Sequence, residues 1–432
     1  MKSFLSDLLS VGLSKVGVIV FGLGYAIVTA RYLGPELNGT IATLLVYPSL
    51  FMTIGSLGIR QSTAYYVGKG VYNDQVIKRA VVQLWYLSSI ISVVVSYYLV
   101  KYFSNSGQDI RLTLLAVAPI PFTLFITYNS GLFLGKNQIQ VFNKINWLPP
   151  LFKLMTVVVL VVILNYSIEG ALFASVLAPF LMSIILIGRN SFIEGFSLKF
   201  EGKAIKSLLS LGSVYAIALL IINLNYKIDV ILLDKLSSAY ETGIYSKGAS
   251  LIEYLWQIPM LLSTIVFARS ASSQDNYAFS MKVTQLLRIS IVIVGLACIA
   301  LAILSDFIIQ LLYGDAFASS ASVLVYLLPG VLLLTIFKVL NMDMAGRGKP
   351  WISLKAMIPA LFLNIVLNYF LIPTMGANGA AIASTISYSL AAFLFIIVYS
   401  REAGIDALII LKYSKSDFEP LTNGVKKVLA KF

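Results

Sequence analysis

Ile291–Leu304 reads IVIVGLACIALAIL, fourteen residues without a charged side chain. Carried back to Val283, the run is long enough for a helix that crosses a bilayer. Such a helix needs about 20 largely apolar residues at a rise of about 1.5 Å each. The single cysteine, Cys298, lies inside this run. It has no intramolecular disulfide partner, and a buried, inert thiol is its expected state.

Runs of the same kind fill the chain on both sides. About twelve spans are predicted by length and hydropathy: 8–30, 39–59, 80–100, 111–134, 146–164, 168–188, 206–233, 243–267, 283–304, 319–344, 352–372 and 377–399. Pro149-Pro150 is expected to interrupt the fifth, and the seventh carries charge. The first run is long and leads straight into the fold, so no cleavable signal peptide is expected. Composition agrees: 59% of the 432 residues are hydrophobic and 12% are charged. A soluble chain carries roughly 25% charged residues, so most of this exterior is expected to face lipid. Disorder is excluded on the same grounds. With no histidine in the chain, histidine zinc sites and histidine general bases are excluded too.

The lysines and arginines decide the orientation. With the N-terminus inside, the predicted inside segments hold 23 of them and the outside segments four: Arg31, Lys101, Arg111 and Lys235. The predicted topology is N-in, C-in. The net charge of +13 is then mostly topology signal, and no nucleic-acid partner is expected. The longest outside loop is expected around Ser305–Ser319. The tail, 401–432, is basic and partly amphipathic, and is expected on the cytoplasmic lipid surface.

The two halves echo each other. Leu8-Leu9-Ser10-Val11-Gly12 matches Leu208-Leu209-Ser210-Leu211-Gly212, and Asn38-Gly39 matches Thr242-Gly243. Pro119 matches Pro329, and Gly135-Lys136 matches Gly346-Arg347. Gly170-Ala171-Leu172-Phe173-Ala174-Ser175 matches Gly379-Ala380-Ala381-Ile382-Ala383-Ser384. The pairs keep their order, with offsets drifting only between 200 and 211 residues. Six spans per repeat makes the repeats parallel, and substrate sites in such folds lie between them. The predicted division is a six-helix bundle over 1–200, a second over 201–400, and the tail.

Charge inside a membrane is costly, at least ~2.5–3.5 kcal/mol at mid-bilayer on insertion scales, so its presence asks for a reason. Five lysines fall within spans: Lys15, Lys153, Lys227, Lys247 and Lys338. The acids there are Asp229 and Glu253, with Asp343 near a helix end. Lys15 and Lys338 fall in the cytoplasmic third, Lys153 near the middle, and Lys227 and Lys247 in the outer third. This ladder would attract an anion such as a pyrophosphate or an acidic sugar. Asn223 and Asn225 can line the same space. Asn364 and Asn368 suit hydrogen bonds between helices. Other roles stay open: Lys15, Lys247 and Lys338 can snorkel, and Lys227 or Lys247 can neutralise Asp229 or Glu253. Lys153 has no acid in its own helix. Pro119, Pro149, Pro150, Pro259, Pro329 and Pro359 can kink helices or serve as hinges.

Several stretches resemble the polysaccharide (O-antigen-type) flippase family of the multidrug, oligosaccharidyl-lipid and polysaccharide exporter superfamily. They are Ala30-Arg31-Tyr32-Leu33-Gly34-Pro35-Glu36-Leu37-Asn38-Gly39, Leu312-Tyr313-Gly314-Asp315-Ala316-Phe317, and Gly346-Arg347. The pattern Asn364, Asn368, Pro373, Gly376, Gly379-Ala380-Ala381 and the acid Asp229 belong to the same ordered set. The resemblance implies an all-α integral membrane protein with two six-helix bundles in a V around a cationic cavity. It implies flipping of an undecaprenyl- or dolichol-pyrophosphate-linked oligosaccharide from the cytoplasmic to the outer leaflet for the cell envelope. The implied location is the cytoplasmic (inner) membrane, and the implied partners extend to polysaccharide polymerase machinery.

A multidrug or cation antiporter of the same superfamily would favour acids where this chain has lysines. A peptidoglycan-precursor flippase resembles a fourteen-span protein rather than one of twelve. A membrane enzyme would need a sizeable outer loop or grouped catalytic acids, so no enzyme is expected. Gly348-Lys349 is followed by Pro350, so no Walker A site exists to bind ATP. No cofactor or metal is expected. Proton or sodium coupling would fall to Asp229 and Glu253, each equally able to serve as half of a structural ion pair.

Overall fold

The computed structural model describes residues 2–136, 138–190, 195–197, 199–257, 266, 270, 273–414 and 417. All regular structure among the described residues is helical. The elements are α1 (Lys2–Ile54), α2 (Ile59–Gly68), α3 (Asp74–Phe103), α4 (Ile110–Val117) and α5 (Pro119–Gly135). Next come α6 (Ile139–Asn143), α7 (Leu148–Val157), α8 (Ser167–Asn190), α9 (Gly202–Leu236) and α10 (Ala239–Leu255). The last are α11 (Asn276–Ile303), α12 (Ser305–Tyr313), α13 (Ser320–Gly346), α14 (Leu354–Ala403) and α15 (Ala407–Leu411).

Nine helical stretches among the described residues are long and apolar enough to cross a membrane. Two of them, Ser14–Gly68 and Pro350–Ala403, run for 55 and 54 residues, more than twice the length one crossing needs. Each is broken by a glycine with positive φ: Gly34 (φ 71°) and Gly376 (φ 52°). A residue with a Cβ is strained in that region. At the first break, Asn38 Nδ2 donates to the carbonyls of Thr29 (2.8 Å) and Gly34 (2.7 Å), satisfying the end of the preceding arm. Pro35 opens the next arm, where a missing N–H costs nothing. The sequence signature at 30–39 is thus the chemistry of a sharp helix-to-helix turn. At the second break, Glu241 Oε2 accepts from the N–H of Ala377 (2.7 Å).

Three expectations change. Pro149-Pro150 does not interrupt the fifth span: both prolines lie in the first turn of α7, which runs on into the π-helix Val158–Ile163. The fourth span is instead divided between α4 and α5 at Ala118-Pro119. The outer loop expected at Ser305–Ser319 is α12 followed by a 3-10 turn, Asp315–Phe317, with Phe317 and Tyr313 buried. The latter half of the span predicted at 243–267, with Pro259, lies mostly outside the described residues, as do Arg269 and the tail beyond Asp417.

The chain divides into two compact units. The first comprises Met1–Gly248, Asp306–Val323 and Ile365–Ala380; the second, Ala249–Ser305, Leu324–Asn364 and Ala381–Phe432. The first is built on Ile77, Val81, Ile120, Leu124, Tyr128 and Met182. The Tyr128 hydroxyl donates to the Gly55 carbonyl (2.8 Å), so even this ring's polar tip is satisfied. In the second, Phe337 of α13 packs edge-on against Phe395 of α14 at 4.8 Å. Asp343, fully buried there, accepts from Ser270 Oγ (2.6 Å), Ser280 Oγ (2.5 Å), the Tyr399 hydroxyl (2.7 Å) and Arg347 Nη2 (3.0 Å). The Gly346-Arg347 signature therefore closes a structural network around a buried acid.

The same unit holds down the start of the tail. Arg288 of α11 makes a bidentate pair with Asp417 (Nε–Oδ2 2.8 Å, Nη2–Oδ1 2.7 Å) and donates to the carbonyls of Ile409 (3.1 Å) and Ile410 (3.2 Å). The guanidinium holds the Asp417 carboxyl below the usual carboxylate range. A depressed folded-state pKa contributes stability that is present above the unfolded value, about 3.9, and is lost as pH falls through the folded value. Proteolysis of the segment after Ala407 should therefore stay slow from pH 7 to about pH 4 and accelerate only below that. Asp417→Asn should be cleaved rapidly at every pH. Limited proteolysis of the protein in detergent across this range checks both.

Candidate functional site

The predicted intramembrane charges separate into four groups. Three lie in the first unit. Lys153 of α7 is half-buried, and its Nζ stands 3.9 Å from the centroid of the Tyr25 ring of α1. Lys247 of α10 is 6% exposed and donates to the Ala26 carbonyl (3.0 Å) and to Thr29 Oγ1 (2.9 Å). Both ammonium groups thus reach the same stretch of α1, and they repel one another. The second group is Lys15 of α1, half-buried and under repulsion from Arg60 of α2. The third is Asp229 of α9. Its fully buried carboxylate accepts from the Tyr245 hydroxyl (2.7 Å) and from Asn368 Nδ2 (2.8 Å). Asn368 thereby plays the interhelical role expected of it.

Around that acid, Lys227 is half-buried and Asn225 fully buried. Asn223 donates to the Leu219 carbonyl of its own helix (2.8 Å). The fourth group belongs to the second unit. Lys338 Nζ lies 4.1 Å from the centroid of the Trp256 ring and is attracted by Glu253.

Magnitudes separate these lysines. A hydrogen bond to a charged group contributes about 1.5–3 kcal/mol. Two of them cover the ~2.5–3.5 kcal/mol that an intramembrane ammonium costs. Lys247 is therefore explained as a pin between α10 and α1. Among the described residues, Lys153 has the Tyr25 ring and no carboxylate or hydrogen-bond acceptor. A desolvated cation–π contact is worth about 2 kcal/mol, less than the insertion cost. Lys153 is left as a cation short of stabilisation, which an anionic ligand would supply.

Sequence reasoning missed Arg60, which spacing placed in a loop and counted as topology charge. In the structure its Nε is buried with no hydrogen-bond partner, and the same is true of Ser14 Oγ and Thr63 Oγ1. The aromatic partners, Tyr25 and Trp256, were missed as well. Tyr25 and Lys153 are far apart in the chain, and nothing local in either stretch points to the other.

The turn of α1 is fastened to distant elements. Gly39 and Gly243, matched by the internal duplication, meet backbone to backbone. A Cβ on Gly39 would stand 1.8 Å from the Ala239 oxygen, and one on Gly243 would stand 2.0 Å from the Pro35 oxygen. Arg31 donates to the carbonyls of Leu311 (2.6 Å) and Leu312 (3.0 Å), which end α12.

Residues 28–322 match the family model described as polysaccharide biosynthesis protein. The chain belongs to that family. This polysaccharide biosynthesis family member is similar to the probable low-salt glycan biosynthesis flippase Agl15 of Haloferax volcanii. The two are 20% identical over 396 residues, covering 90% of this chain and 80% of the relative. Its fold is that of the lipid II flippase MurJ in an inward closed conformation. The TM-score is 0.71 at 15% identity, over 98% of this chain and 96% of that one. A multidrug-resistance MATE family transporter of the MOP superfamily, in an inward-facing conformation, matches with the same TM-score of 0.71. Identity there is 12%, over 91% of this chain and 98% of that one. The protein is thus a multi-pass membrane protein with the fold of this transporter superfamily.

The division between pin and unsatisfied cation is measurable. Lys247→Ala should lower stability by about 2–3 kcal/mol, and Lys153→Ala should leave it unchanged or raise it by up to about 1 kcal/mol. Unfolding of the purified protein in detergent gives both values.

Proposed function

We propose that the protein is a flippase for a polyprenyl-pyrophosphate-linked oligosaccharide, of the undecaprenyl or dolichol type. It moves that lipid from the cytoplasmic to the outer leaflet of the cytoplasmic membrane by alternating access. Family membership and the glycan flippase among the relatives support this reading. The observation that carries it is the half-buried Lys153, capped by Tyr25 and without an acid partner among the described residues.

In this reading Lys153 binds the pyrophosphate during translocation. Lys15 and Arg60, two cations held close together, receive it at the lysine-rich end. A pyrophosphate would relieve their mutual repulsion and satisfy the Arg60 Nε. Lys227, Asn223 and Asn225 lie on α9 around Asp229 as further binding groups. Lys338, close to the Trp256 ring within the second unit, is a further candidate binding group, and Lys247 supports the first unit's site by positioning α1. Asp229 and Glu253 are the carboxylates available for proton or sodium coupling, and no other cofactor is required. Polysaccharide polymerase machinery would receive the flipped product.

A cation exporter would place an available carboxylate where Lys153 stands, and this polarity argues against that reading. In cells lacking the native protein, Lys153→Ala should reduce delivery of lipid-linked sugar to the outer leaflet at least tenfold at normal membrane abundance. Lys153→Arg should retain most of it. Full activity of Lys153→Ala would contradict the proposal. Restored drug resistance without sugar delivery by the wild-type chain would establish the exporter instead.

A further inference from the structure

A second feature of the first unit has no part in this site. Residues 195–197 and 199–201 cross the early turns of α3 and are fastened there. Gln83 Nε2 donates to the Lys199 carbonyl (2.7 Å), and its Oε1 accepts from the Glu201 N–H (3.2 Å). Arg79 pairs with Glu201 at 2.7 Å. Gly195 fits so closely that a Cβ there would stand 2.8 Å from Val82 Cγ2. Trp85 is fixed by donating to the Pro121 carbonyl (2.8 Å) and stands edge-on to Phe196 at 6.0 Å.

These contacts frame a groove of about 550 Å³, lined chiefly by Val82, Trp85, Tyr86, Leu87, Phe196 and Phe200. That volume lies within the range of small-molecule sites. Tyr86, Leu87, Phe196 and Phe200 are 63%, 58%, 53% and 74% exposed. Lys199 lies within the lining segment and Lys203 and Lys206 follow it, all three exposed. From the groove an exposed apolar stripe continues along α3 through Ile90, Val94 and Tyr98, at helical spacing. An apolar slot, an apolar track leading from it and a rim of cations match an amphiphile with an anionic head and a long chain.

We propose that this groove binds an anionic phospholipid of the leaflet on the lysine-rich side. One acyl chain lies in the slot against Trp85 and Phe196, and the phosphate is held by Lys199 and Lys203. The negative surface potential of the cytoplasmic leaflet acts on that side of the protein.

The test uses the full-length protein in nanodiscs containing brominated phosphatidylglycerol or brominated phosphatidylcholine at matched mole fractions. Bromine on the chain quenches tryptophan at close range, and the Trp85 signal is the difference between wild type and Trp85→Phe. The phosphatidylglycerol is expected to half-quench Trp85 at an approximately fivefold lower mole fraction. Lys199→Gln with Lys203→Gln should abolish that preference. Equal quenching by the two lipids would overturn the proposal, because the groove would then contact bulk chains without selecting a headgroup. Absence of quenching would overturn it as well, because protein would then cover the slot. If Trp85→Phe does not fold, total fluorescence of wild type and the lysine variant in phosphatidylglycerol provides the same comparison. Identical quenching of the two would overturn the proposal.

Discussion

Hydrocarbon accepts no hydrogen bonds, so every polar group within the bilayer must be satisfied by the protein itself. The features of this chain that look unusual in sequence are answers to that constraint. The break at Gly34 is tolerable because Asn38 takes up two backbone carbonyls there. The break at Gly376 is tolerable because Glu241 accepts the freed Ala377 N–H. Asp343 can be buried because two serines, a tyrosine and Arg347 donate to it. Asp229 has Tyr245 and Asn368.

Against that background the incompletely satisfied groups mark the candidate site. Lys247 resembles Lys153 in sequence: each is a lysine in an apolar span. The structure assigns them opposite roles, because one ammonium has two oxygen acceptors and the other a tyrosine ring. Arg60 shows the same logic from the other side. As a charge at the edge of a span it was topology; with its Nε buried and unbonded beside Lys15, it is a group that an anion would stabilise. A transporter needs such residues, because a cation fully neutralised by its own protein has little left to offer a substrate.

The fold was legible in the sequence because apolar run length is a local property. The apolar runs, and the motifs that hold Gly34-Pro35 and Gly376, can be read within short windows. Gly39 and Gly243, matched from the repeat alone, prove to be in contact. What was misread depended on finer local chemistry. The Ser305–Ser319 stretch is short and carries charge, so its amphipathic α12 passed for a loop. Pro149-Pro150 reads as a break until the start of α7 is known, and there prolines are favoured. The site was legible only as a set of residue types. The partners of each charge come from helices far apart in sequence, and no window contains both Lys153 and Tyr25.

The unsatisfied cations of the first unit are proposed to bind an anionic lipid headgroup. The most direct measurement is the affinity of the purified protein in nanodiscs for polyprenyl pyrophosphate, compared with the uncharged polyprenol of equal chain length. The pyrophosphate should bind at least tenfold more tightly, with the difference collapsing in Lys153→Ala and in Arg60→Ala. Equal affinity for the two lipids, or a preference that survives both substitutions, would contradict the proposal.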